Sequence, residues 1–72
     1  MSDVELESTV HVYQNGSIVV YRVGDMWAYK AISGEFQIES DEPYVNRHCA
    51  RANAMLNMEK EHGIKFRGVV KS

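Results

Sequence analysis

The strongest structural signal in the sequence lies in residues 15–32, which read NGSIVVYRVGDMWAYKAI. Two runs of β-branched and aromatic residues each follow a turn pair, Asn-Gly at 15–16 and Gly-Asp at 24–25, as in adjacent antiparallel strands. We predict strands at about 17–23 and 26–32, with flanking strands at about 4–14 and 35–39. Together these segments predict an antiparallel β-meander of three to four strands.

The hydrophobic period changes to that of a helix in the C-terminal half. Ser, Asp and Pro within residues 40–43 are typical of a helix start, and Gly63 is typical of the residue that follows a helix end. We predict one helix at about 42–62 and a possible short strand at 64–70. The predicted inward stripe of the helix is Val45, Cys49, Ala52 and Leu56. The expected fold class is α+β, with residues 1–72 forming a single domain and the helix packed on one sheet face.

The expected register leaves one face of the first hairpin uncovered. A two-residue loop at 15–16 would pair Val12 with Val19 and Val10 with Tyr21. The helix is expected to cover the opposite face, which carries Ile18, Val20, Tyr29, Ala31, Phe36 and Ile38. The uncovered apolar residues are Leu6, Val10, Val12, Val19, Tyr21 and Val23. Because monomers rarely expose such a patch, we expect a protein interface there, most simply a two-fold homodimer. The alternative is that the hairpin curls or the tail strand crosses it.

Composition excludes several classes of protein. The chain has 72 residues, 44% of them hydrophobic and 25% charged, which is typical of a globular domain and not of a disordered one. No apolar run approaches the ~20 residues of a membrane span, and the first residues are acidic where a signal peptide is basic. The single cysteine suits a reducing compartment, so we expect a cytoplasmic protein that contacts no membrane. A chain this short gains little from burial alone, which favours oligomerisation.

Charge is divided unevenly along the chain. Residues 1–42 contain two Lys and Arg against eight Asp and Glu, a net charge of −6, and residues 43–72 contain six against two, a net charge of +4. An acidic sheet would repel nucleic acid but could occupy the phosphate site of a basic, nucleic-acid-handling protein. The candidate partner-binding acids are Glu35, Glu39, Asp41 and Glu42.

Nucleic-acid binding or transcription regulation is the alternative function, and it would use the basic helix and tail. The candidate residues are Arg47, Arg51, Lys65, Arg67 and Lys71. Arg22, Trp27 and Tyr29 could form a basic-aromatic platform, although a cross-strand cation–π pair would also explain Arg22 beside Trp27. Three asparagines on one helix flank either bind a partner or reach the sheet edge: Asn46, Asn53 and Asn57.

No motif for catalysis or cofactor binding is found in the sequence. His48 and Cys49 are adjacent, but successive helix residues diverge by ~100°, and the spacing of the histidines does not match that of structural zinc sites. A small metal or ligand site around His48 and His62 is a third option. We predict a non-enzymatic protein-binding module without a cofactor. Its size and acidity are those of small regulators and inhibitors of phages and mobile elements, which would place it in the host cytoplasm.

Overall fold

The computed structural model describes residues 8–71, and it describes the side chains of residues 8–68. The elements in this part of the chain are β1 (Ser8–Tyr13), β2 (Gly16–Val23), β3 (Met26–Ser33), β4 (Phe36–Glu39), α1 (Arg47–His62) and β5 (Val69–Lys71). The five strands form one antiparallel sheet in the order β4-β3-β2-β1-β5. The predicted meander followed by one packed helix is confirmed. A last strand is present as β5 beside β1, but it covers 69–71 and not the predicted 64–70. Residues 4–7 of the predicted first strand lie outside the described residues.

The turn between β1 and β2 differs from the prediction. It consists of Gln14 and Asn15, so that Tyr13 pairs with Gly16 and Val10 pairs with Val19. The register is therefore two residues away from the predicted one. Since side chains alternate with a period of two, this slip leaves every side chain on its predicted face.

Gly16 explains why the turn was wrongly predicted. It is the first residue of β2, and a Cβ atom there would meet the carbonyl oxygen of Ile32 and lie 2.6 Å from the Phe66 ring. The neighbouring Asn15 donates from Nδ2 to the Lys65 carbonyl oxygen at 2.8 Å. Gly16 is thus required for close packing, and the turn is held by the tail of the chain.

The other two hairpins have the predicted faces. Val20 pairs with Tyr29 across β2 and β3, and Ala31 pairs with Ile38 across β3 and β4. Helix α1 packs on this face, as predicted. The buried core consists of Tyr13, Ile18, Val20, Tyr29, Ala31, Ile38, Ala50, Ala54, Met58 and Phe66.

The predicted inward stripe of the helix is wrong. Ala50, Ala54 and Met58 are fully buried, whereas Val45 and Leu56 are 68% and 60% exposed. Of the other two predicted residues, Cys49 is partly buried and Ala52 is exposed. The sheet already supplies large side chains to the core, including two tyrosines, so small alanines on the helix allow it to approach closely.

The predicted helix start is also wrong. Helix α1 begins at Arg47, after the N-cap residue Asn46, whose side chain accepts a hydrogen bond of 2.8 Å from the Cys49 N–H. The preceding segment instead extends the sheet. The Trp27 N–H donates to the Tyr44 carbonyl oxygen at 2.8 Å, and the Tyr44 N–H donates to the Trp27 carbonyl oxygen at 2.6 Å. These bonds satisfy β3 backbone groups beyond the reach of β4. The helix ends at Gly63 (φ 68°), as predicted.

Candidate binding surfaces

The first candidate surface is the outer face, formed by Val10, Val12, Val19, Tyr21 and Val23 of the first hairpin. Its three most exposed side chains are Val10 (48%), Val12 (37%) and Val23 (48%), while the other two are partly buried. Among the described residues, α1 packs on the opposite face and β5 pairs at the edge of β1, so no element lies over it. The predicted crossing by the tail strand is therefore wrong for residues 69–71. Leu6 lies outside the described residues.

The outer side of the sheet becomes polar towards β4. Lys30 and Glu39 are paired across β3 and β4, with Nζ and Oε2 4.0 Å apart and both side chains exposed. The five residues of the outer face carry no charge. Towards β4, the uncharged apolar area is thus bordered by the Lys30–Glu39 pair.

The second candidate surface is the acidic edge, which follows β4 and both of its ends. Glu35 lies in the turn before β4, Glu39 is its last residue, and Asp41 and Glu42 follow it. All four side chains are exposed, and Glu39 pairs with Lys30. The structure therefore brings the four predicted acids to one edge of the sheet.

The third candidate surface is a basic cleft of about 250 Å³ between β1 and the first two turns of α1. Its lining residues are Thr9, His11, Arg47, His48 and Arg51. The two arginines were predicted as nucleic-acid-binding residues, and His48 was predicted only as part of a metal or ligand site. The five residues come together because α1 begins beside β1, which the sequence pattern alone did not indicate.

The basic residues that α1 contributes to the cleft are placed unfavourably with respect to the helix dipole. The first turn of α1 contains no acidic residue and carries Arg47 and His48. Cations at the positive end of a helix dipole are unfavourable by ~0.3–1 kcal/mol each when charged. The ion pairs between described residues are Lys30–Glu39 and Lys65–Glu59, so neither arginine of the cleft has a carboxylate partner in this part of the chain.

Arg51 and His11 form part of the wall of the cleft. Arg51 donates from Nη1 to the Tyr13 hydroxyl at 3.1 Å, which anchors its guanidinium against the core. Burial lowers the pKa of His11 below its ordinary value of 6.5, and the positive charge of Arg51 lowers this pKa further. The cleft therefore has a positive potential even where His11 is neutral.

Trp27 borders the basic cleft through Arg47. The Arg47 Cζ atom lies 5.0 Å from the Trp27 ring centroid, and the Arg22 Cζ atom lies 5.9 Å from it. The Arg22–Trp27 contact is the cross-strand cation–π pair that was the alternative to a basic-aromatic platform. Tyr29 is 2% exposed, so the predicted platform loses this residue.

The remaining predicted cations lie elsewhere. Lys65 and Arg67 line an open groove of about 830 Å³ with Gln14 and Asn15, and Lys65 Nζ lies 3.8 Å from Glu59 Oε2. Lys71 belongs to β5, and its side chain is outside the described ones. The structure thus separates Lys65 and Arg67 from the two arginines of the basic cleft.

The exposed side of the helix carries part of its predicted inward stripe. Ala52 and Leu56 line an open groove of about 340 Å³ together with Met55 and Phe66.

The side chains of the asparagine flank form hydrogen bonds within the chain. Asn53 donates to the Cys49 carbonyl oxygen at 2.9 Å, and Asn57 donates to the Tyr29 hydroxyl at 2.9 Å.

No group of three His, Cys, Asp or Glu side chains within residues 8–71 is placed to hold a metal ion. His48 and His62 lie at opposite ends of α1, ~21 Å apart along its axis. The His62 ring contacts the Phe36 ring, with centroids 4.7 Å apart. The two histidines therefore do not form one site.

Comparisons with known proteins give no family for this chain. No protein-family model matches it, and neither a curated protein nor a solved structure shows significant similarity. In the described part of the chain, no helix has the length and apolar character needed to cross a membrane.

Proposed function

We propose that this chain is a small non-enzymatic protein-binding module that works as a homodimer, with the outer face as the contact between the two copies. The observation that carries the proposal is the exposure of three valines on an uncharged sheet face that no described element covers. Apolar patches of this kind on small domains are typical of protein interfaces.

A second copy fits this face because its border is self-complementary in charge. In a two-fold arrangement the same patch serves both chains, so Lys30 of one copy can approach Glu39 of the other. The apolar centre and charged border also match the usual anatomy of protein interfaces. Docking of this face would leave α1 accessible, together with Glu35, Asp41 and Glu42 of the acidic edge.

The acidic edge supports the second half of the proposal, binding to a basic protein. Its four exposed carboxylates lie along an edge strand, and Glu35, Asp41 and Glu42, which the dimer contact does not use, can face a cationic surface. We extend the proposal to regulation or inhibition of a nucleic-acid-handling protein, in the manner of small phage and mobile-element proteins. The size and acidity of the chain are its support.

Sedimentation of two matched variants tests the dimer. Val10→Lys places a charge on the outer face, and Val45→Lys makes the same change at a valine that is exposed elsewhere. We expect the wild type and Val45→Lys to dimerise as concentration rises, and Val10→Lys to remain monomeric with an unchanged circular dichroism spectrum. A wild type that stays monomeric at millimolar concentration would refute the proposal.

A further inference from the structure

We propose that the basic cleft binds a phosphate group of single-stranded nucleic acid, a role separate from protein binding through the outer face. Its lining combines two guanidinium groups, two imidazoles and a hydroxyl from β1 and α1. These are the side-chain donors that bind phosphate oxygens in proteins, and arginine does so with two parallel hydrogen bonds.

The placement of charge gives the reason to expect an anion there. The positive end of the α1 dipole carries Arg47 and His48 and no carboxylate, an arrangement that is unfavourable for the helix itself. Neither Arg47 nor Arg51 pairs with an acid within residues 8–71. A bound phosphate would neutralise both arginines and complement the dipole, so the ligand supplies the anion that residues 8–71 do not place there.

Preorganisation also distinguishes this cleft from a solvated basic surface. The Arg51 guanidinium is fixed by its bond to the buried Tyr13 hydroxyl, which engages one of its five N–H donors. Arg47 is held over the Trp27 ring. Two arginines fixed in this way lose less side-chain entropy on binding than exposed lysines do.

Trp27 favours a nucleic-acid strand over an isolated phosphate. The ring is partly exposed and contacts the same Arg47 that lines the cleft, so a nucleotide with its phosphate in the cleft can place its base near this ring. A cleft of about 250 Å³ has room for one phosphate and its sugar. Base stacking on an aromatic ring beside a cationic groove is typical of single-strand binding.

The cleft and the outer face can be occupied together. Thr9 and His11 project to the helix-covered side of the sheet, opposite to Val10 and Val12. A homodimer joined through the outer face would therefore present two basic clefts. Failure of one proposal leaves the other standing, because their test variants lie on opposite sides of the sheet.

The test measures binding of a fluorescein-labelled thymidine oligonucleotide of about twelve nucleotides by anisotropy at about 50 mM NaCl. Arg47→Gln removes a cleft cation, and Lys60→Gln removes an exposed cation from the last turn of the same helix. We expect Arg47→Gln to weaken binding by about fivefold or more and Lys60→Gln by less than about twofold. Trp27, the one tryptophan of the sequence, should change its emission on binding.

Several results would overturn the proposal. The first is absence of binding by the wild type, and the second is equal weakening by the two variants, which would indicate nonspecific attraction. A duplex of the same length that binds more tightly would contradict the single-strand assignment. A phosphothreonine peptide that binds more tightly than the oligonucleotide would identify a protein ligand instead.

Discussion

The guanidinium of Arg47 lies over the ring of Trp27, with its Cζ atom 5.0 Å from the ring centroid. This contact joins the first turn of α1 to the start of β3, and Arg47 also lines the basic cleft. The same side chain is therefore stabilised by the aromatic ring and destabilised by the helix dipole. The two effects have similar magnitudes and opposite signs.

Replacing Arg47 with alanine should consequently change stability very little. Loss of the cation–π contact costs ~0.5–1 kcal/mol, and removal of a cation from the helix N-terminus returns ~0.3–1 kcal/mol. We expect urea unfolding at low salt to show a net change within ~0.5 kcal/mol, accompanied by a shift of Trp27 emission. Lys60→Ala, near the helix C-terminus, should leave that emission unchanged. A loss above ~2 kcal/mol for Arg47→Ala would contradict this balance.

The hydrogen bond from Asn57 to the Tyr29 hydroxyl should make a measurable contribution to the free energy of unfolding. The donor–acceptor distance is 2.9 Å, and Tyr29 is 2% exposed. Asn57→Ala leaves this hydroxyl without its partner, which costs ~1–3 kcal/mol. In a Tyr29→Phe background the same substitution should cost clearly less. Additive losses in this double-mutant cycle, measured by urea unfolding, would show that the bond does not stabilise the fold.

The sheet could be predicted from the sequence because its information is local. Alternation along β2 and β3 placed Val20 and Tyr29 on one face, and a register slip of two preserves such faces. The turn could not be predicted in the same way. Whether Gly16 belongs to a turn or a strand depends on Phe66, which comes from the far end of the chain.

The helix face could not be predicted for a different reason. Leu56 and Val45 are more hydrophobic than alanine, so the sequence pattern predicts that they face the sheet. The close approach of α1 to the sheet instead requires alanine at Ala50 and Ala54. The basic cleft was predicted only in part, because Arg51 belongs to the helix pattern and His11 joins it through tertiary packing.

Two substitutions on α1 test which face is buried. Met58 is fully buried, and Leu56 is 60% exposed, although both are large apolar residues of the same helix. Met58→Ala should lower the free energy of unfolding by ~2–5 kcal/mol. Leu56→Ala should change it by less than ~0.5 kcal/mol, as surface substitutions do. A larger loss of stability for Leu56→Ala than for Met58→Ala, in thermal or urea unfolding, would support the inward stripe that the sequence pattern predicts.

Gly16→Ala should destabilise the fold through overpacking. The added Cβ would meet the Ile32 carbonyl oxygen and lie 2.6 Å from the Phe66 ring, and backbone cannot move aside cheaply. The expected loss is ~1–3 kcal/mol. Gly24→Ala is the control, since nothing lies within 4 Å and only its positive φ of 64° is unfavourable, at ~1 kcal/mol. Equal stability of the Gly16→Ala protein and the wild type would refute the close packing.

Acidification should destabilise the chain through His11. Burial and the charge of Arg51 lower the pKa of His11 in the folded state below its unfolded value of 6.5. The unfolded state therefore binds the proton more readily than the folded state. The contribution of His11 to stability is complete above about pH 6.5 and is lost as the pH falls below that value. His11→Gln should lose less stability than the wild type between about pH 7.5 and about pH 5, measured by urea unfolding. The thymidine oligonucleotide should reduce the wild-type loss, because phosphate in the cleft stabilises the protonated imidazole. An identical pH dependence for the two proteins would show that His11 does not titrate differently in the folded chain.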